Sequence, residues 1–214
     1  LENELKLRGF SQKTMKAYKY HVVKLLDFIK KVPDNIENED VKSYMLWMIN
    51  KGYNNNSVRL CKAAISFYFK NVVRKDINIE KLPNIRKENT LPKVLSRREV
   101  QEMINTLNNI KHILVVKLLY SAGLRVSELV NLKVNDIDIG RNMIMIRQGK
   151  GKKDRITLLA SSIKEDILNY LCKRNSGNEY LINGLKGKYS IKAIQKIIDK
   201  AAKLAKINKK VTPH

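Results

Sequence analysis

The sequence predicts a mainly α-helical protein in two domains, the second of which carries a small antiparallel β-sheet. Three observations lead there. Apolar residues recur at helical spacing, as in Tyr18, Val22, Leu25, Leu26 and Ile29, the pattern of a helix with one buried face. The stretch Leu82 to Lys93 holds Pro83, Pro92 and several charges without any period, so it reads as an extended linker. Two β-type runs, Met143 to Arg147 and Arg155 to Leu159, flank Gly149-Lys150-Gly151, which is the pattern of a hairpin. The expected domains are residues 1–82 and 96–214, joined by a linker over 83–95.

In chain order, Leu1 to Arg8 is a short helix closed by Gly9, and Ser11 is a good N-cap for the next helix. Pro33-Asp34-Asn35 breaks that helix. Asp40 to Asn50 is a third, apolar at Val41, Tyr44, Met45 and Met48 and ended by Gly52; Trp47 is read as packing. Asn54 to Ser57 caps a fourth running to about Arg74, with Val58, Cys61, Ala64, Ile65, Tyr68 and Val72 inward. Ser96 and Glu99 form a capping box opening the second domain, with a helix over 97–107. The apolar run Ile113 to Tyr120 is a buried helix. After the hairpin, Ser161 or Ser162 caps a helix through Lys173 with Ile163, Ile167, Leu168 and Leu171 inward. Tyr180-Leu181-Ile182 is a short strand or an extended tether. Ser190 caps a last helix, 191–205, with Ile194, Ile197, Ile198, Ala201 and Leu204 inward.

Charge narrows the function. The 43 Lys and Arg against 20 Asp and Glu give a formal net charge of +23, which points to a polyanionic partner, nucleic acid first. No stretch is apolar and long enough to span a membrane, and neither a lipidation motif nor a secretory signal is expected. Cys61 and Cys172 lie far apart and are read as free core thiols of a reduced, cytoplasmic protein. His21, His112 and His214 are scattered, so no metal site and no cofactor is expected.

The most informative stretch is Ser121-Ala122-Gly123-Leu124-Arg125-Val126-Ser127-Glu128-Leu129. Gly123 can take positive φ and end the buried helix. A second short helix then places Arg125 and Glu128 on one face at i, i+3. A buried arginine is uncommon unless it is paired or holds an anion, so the corner is either a structural Arg–Glu pair or an anion site. The glycines beside Lys150 leave its ammonium free to reach outward from the hairpin. The chain closes on Thr212-Pro213-His214.

Gly123 to Leu129, the Gly149-Lys150-Gly151 hairpin and the Thr212-Pro213-His214 ending, in that order over nearly the whole chain, resemble the first three catalytic blocks of the tyrosine recombinases, most closely the Xer type, which acts on chromosome dimers. The resemblance implies a SAM-like core-binding helical bundle followed by an α-rich catalytic domain. It implies double-stranded DNA with inverted half-sites as partner, bound by a dimer on one site and a tetramer in synapsis. Ser57-Val58-Arg59-Leu60 is similar to the core-binding helix that enters the major groove. The expected DNA contacts are Lys16, Lys19, Asn55, Asn56, Ser57, Arg59, Lys62, Lys152, Lys192 and Lys210.

Cutting a phosphodiester without a metal demands donors for the charge built up on phosphorus, a nucleophile held in line and a proton for the leaving oxygen. The resemblance implies Arg125 for the first task, since its fork can hold two oxygens. It implies Lys150 for the third, and His214 as a donor to the phosphate or a proton acceptor. Glu128 is expected to orient Arg125 or His214. The family's second arginine and its tyrosine follow the His block. The chain begins at Leu1 rather than Met and stops at His214, so it is expected to be incomplete at both ends, and these 214 residues are expected to bind DNA without cutting it. A mobile-element integrase, a DNA-binding protein without activity and a type IB topoisomerase relative are the alternatives.

Overall fold

The structure is a computed structural model and describes residues 1–75, 77, 94–147, 153–174, 177–184 and 187–213. Contacts divide the chain into two units, Leu1–Leu91 and Pro92–His214, a division that falls within the proline-bearing stretch. That stretch itself, over 78–93, lies outside the described residues.

The first unit is helical. Helix α1 spans Glu2–Leu7, α2 Gln12–Ile29, α3 Asn38–Asn50 and α4 Asn55–Tyr68. Its boundaries are local chemistry. Gly9 turns the chain at φ 70°, and the Ser11 hydroxyl accepts the Thr14 N–H at 3.1 Å. Asn54 caps α4, its Oδ1 accepting the Ser57 N–H at 2.8 Å. Helix α4 passes into a wider turn over Phe69–Val73 and stops at Arg74, where φ is positive. Leu25, Val41, Met48, Val58, Cys61 and Ile65 form the core. Trp47 packs on its edge and stacks with Tyr44 at a centroid separation of 5.7 Å. Burial in that core raises the Cys61 thiol to about 12.

The second unit surrounds one very apolar helix. Helix α5 spans Arg97–Asn105, α6 Ile110–Ser121 and α7 Val126–Asn131. The expected capping box is present: the Ser96 hydroxyl accepts the Glu99 N–H at 3.2 Å and Glu99 returns a bond to the Ser96 N–H at 2.7 Å. Strands β1 (Ile137–Asp138), β2 (Met143–Ile146) and β3 (Arg155–Leu158) form an antiparallel sheet in the order β1-β2-β3. Met143 pairs with Leu158 and Ile146 with Arg155. Helix α8 spans Ser161–Lys173, β4 and β5 pair over Asn183–Gly184 and Gly187–Lys188, and α9 spans Ile191–Leu204. Leu114, Leu118, Leu129, Ile144, Ile167 and Ile194 are fully buried between these elements.

Four sequence expectations need correction. Neither Ser161 nor Ser162 caps α8; the N-cap is Ala160 and makes no side-chain bond. Leu168 and Leu204 are 48% and 52% exposed rather than inward, because Tyr170 takes the buried place on α8 and Ala201 and Ala202 on α9. Cys172 is exposed, not a core thiol. Arg125 is not buried: its side chain is 46% exposed, and the buried partner is Glu128 at 3%. The two cysteines therefore differ in a measurable way. Under native conditions a disulfide reagent is expected to modify one thiol per chain, at Cys172, and modification of both in the folded protein would contradict the burial of Cys61.

Candidate active site

The site begins at the C-terminus of α6. Ala122 ends the helix and Gly123 reverses the chain at φ 57°, a conformation that costs other residues a clash with their own Cβ. Leu124 and Val126 are buried on either side, which fixes Arg125 at the N-cap of α7. There the Arg125 N–H donates to Glu128 Oε2 at 2.9 Å and its Nη1 donates to Glu128 Oε1 at 2.8 Å. One carboxylate thus closes the helix start and orients the guanidinium.

A second guanidinium arrives from the sheet. Thr157 Oγ1 on β3 donates to the Ala122 carbonyl at 3.1 Å, holding β3 beside the corner. Arg155, two residues earlier, lies on the same strand face, and its Nη2 donates to Glu128 Oε2 at 2.8 Å. Burial pushes the Glu128 carboxyl up, but the Arg125 N–H and the guanidiniums of Arg125 and Arg155 outweigh it and hold the group below the usual carboxylate range.

Arg125 and Arg155 line one open groove of about 510 Å³ together with Leu119, Gly123, Leu124 and Pro213. Its walls are apolar apart from the two cations, which is suited to a partly desolvated anion. Among the described residues no group of three or more His, Cys, Asp or Glu could hold a metal ion.

The other expected residues fall as follows. Lys150, Lys152 and His214 lie outside the described residues. Lys16 and Lys19 are exposed on α2, and Lys19 is paired with Glu2 at 2.7 Å. Asn55, Asn56, Ser57, Arg59 and Lys62 occupy the first two turns of α4, with Asn56 and Arg59 exposed. Lys192 on α9 and Lys210 beyond it are exposed. Arg155 is the site residue that sequence reading missed. The sequence carried no signal for it: the alternation of β3 predicts Ile156 and Leu158 inward, yet they are 60% and 75% exposed, and the polar positions Arg155 and Thr157 face inward instead.

Comparison with known proteins agrees with this architecture. Residues 93–214 match the phage integrase family, and residues 1–79 match the phage integrase N-terminal SAM-like domain. The chain belongs to the phage integrase family. Within it the chain is a tyrosine recombinase, similar to the tyrosine recombinase XerA of Thermococcus onnurineus (35% identical, covering all of this chain and 75% of that protein). It is also similar to the putative integrase/recombinase y4qK of Sinorhizobium fredii (33% identical, covering all of this chain and 70% of that protein). Among solved structures, a XerA recombinase is 29% identical with a TM-score of 0.53, covering 99% of this chain and 77% of that one. A lambda integrase tetramer bound to a Holliday junction shares the fold at 18% identity and a TM-score of 0.78, covering 99% of this chain and 63% of that one.

Proposed function

We propose that the protein is a site-specific DNA recombinase that breaks and rejoins strands through a 3′-phosphotyrosyl intermediate. The observation that carries this is Arg125, fixed at a helix corner by a buried carboxylate and open to an apolar groove. Its guanidinium holds two oxygens of the scissile phosphate and neutralises the charge that grows on them. Lys150 protonates the leaving 5′-oxygen, and His214 bonds the phosphate or exchanges the nucleophile's proton. The nucleophile implied by the resemblance is a tyrosine, which in the tyrosine recombinases follows the His block. Because the phosphotyrosyl link keeps the bond energy, religation needs no nucleotide cofactor.

The duplex carries two inverted half-sites, one per protomer, with a dimer on each site and a tetramer in synapsis. The net charge of +23 supports a phosphate-rich partner, and the exposed Asn56 and Arg59 on α4 suit a helix entering the major groove. Resolution of chromosome dimers in the cytoplasm is the physiological role implied by the Xer-type resemblance of the Arg125 corner, the Lys150 hairpin and the Pro213-His214 ending. No described helix is long and apolar enough to cross a membrane.

A nicked suicide duplex, selected from a randomised pool, tests the reading. Protein carrying the tyrosine is expected to become covalently attached to it under denaturing conditions. Tight binding with no adduct would show a DNA-binding protein without the chemistry.

A further inference from the structure

Glu128 is one buried carboxylate contacted by two guanidiniums. Electroneutrality requires only one. The same unit contains a second buried carboxylate, Asp136, and there a single guanidinium suffices: Arg147 Nε donates to Asp136 Oδ1 at 2.7 Å while the Lys133 N–H occupies Oδ2 at 3.0 Å. At Glu128, Arg125 alone gives the matching set, one guanidinium bond and one N–H bond. Arg155 leaves the cluster with an excess positive charge.

That excess charge is half-exposed in an open groove, where it can take an anion from outside the protein. The two guanidiniums bind different oxygens of one carboxylate, Nη1 of Arg125 on Oε1 and Nη2 of Arg155 on Oε2. They therefore stand no further apart than the width of that group and two hydrogen bonds. Their side chains are 46% and 37% exposed, and both line the groove. Glu128 uses a terminal nitrogen of each and fixes the direction of the rest.

Resting on the recombinase reading above, we propose that Arg155 contacts the same DNA phosphodiester as Arg125, so that the phosphate is held by a pair of guanidiniums sharing Glu128. Arg155 is then a substrate-binding residue as well as a counter-ion of Glu128.

Two measurements test this. In the first, duplex affinity is followed over a salt series. Arg155→Gln is expected to make the slope of log K against log salt shallower by about 1, and Arg155→Lys to keep it. Binding by the wild-type chain with an unchanged slope for Arg155→Gln would overturn the proposal while leaving the duplex as substrate. In the second, the wild-type chain is titrated with inorganic phosphate and the arginine side-chain N–H resonances are followed by NMR. Those of Arg125 and Arg155 are expected to move together along one binding curve; movement of Arg125 alone would overturn the proposal. If the wild-type chain bound no duplex while both resonances still moved, the recombinase reading would fail and the paired anion site would stand.

Discussion

Arg125→Ala is expected to reduce strand cleavage by tyrosine-bearing protein by roughly 10³-fold or more, the scale seen when a preorganised donor to transition-state charge is removed. Duplex affinity is expected to survive largely intact. One phosphate contact among many accounts for about one unit of salt slope, and the chain has 43 Lys and Arg to draw on. The fold is also expected to survive, for a reason visible in the geometry. The backbone N–H that closes α7 on Glu128 belongs to residue 125 whatever its side chain, and Arg155 still neutralises the carboxylate. Cleavage and binding are measured on the same duplex, by adduct formation and by anisotropy. Undiminished cleavage would remove Arg125 from the chemistry.

Removing both guanidiniums has a different expected outcome. Arg125→Ala combined with Arg155→Ala leaves Glu128 buried with only a backbone donor. Breaking a buried pair in this way costs about 3–5 kcal/mol, and the half-exposed guanidiniums place the cost here at the low end, ~3 kcal/mol. The loss should exceed the sum of the single substitutions, because either arginine alone can serve. The pH dependence supplies a sharper signature. In the wild type Glu128 lies below its ordinary value of 4.5, so its contribution is full above 4.5 and is lost as pH falls through the folded-state value. In the double variant burial dominates and the folded-state value rises above 4.5. The contribution then changes sign, and stability declines as pH rises past 4.5. Chemical denaturation of the two proteins at several pH values between 3 and 7 (~4 units) resolves this; parallel profiles would mean that Glu128 does not depend on the guanidiniums. Glu128→Gln in the double-alanine background should abolish the inverted profile.

What the sequence revealed follows from how far each interaction reaches. The α6 corner was readable because it is local: an apolar run, a glycine able to take positive φ and a carboxylate at i+3 all lie within Ile113 to Leu129. The caps at Ser11, Asn54, Ser96 and Ser190 were readable for the same reason. Arg155 was not, because its bond to Glu128 spans 27 residues and depends on the register Ile146 with Arg155 and on which face β3 turns inward. Leu168 and Leu204 satisfied the helical period, yet the period does not say how wide a neighbour's cover is; Tyr170 and Ala202 hold the buried positions instead. Arg125 was expected to be buried because it sits at the junction of two helical elements read as buried, the apolar run Ile113 to Tyr120 and the short helix after Gly123, but an N-cap position points its side chain off the end of the helix.

The most direct test is a structure of the chain on a duplex it selects. Arg125 and Arg155 are expected to lie within hydrogen-bond distance of the non-bridging oxygens of one phosphodiester, with Glu128 still bridging them beneath it. DNA seated on another face, with the groove beside Pro213 filled by solvent, would contradict it.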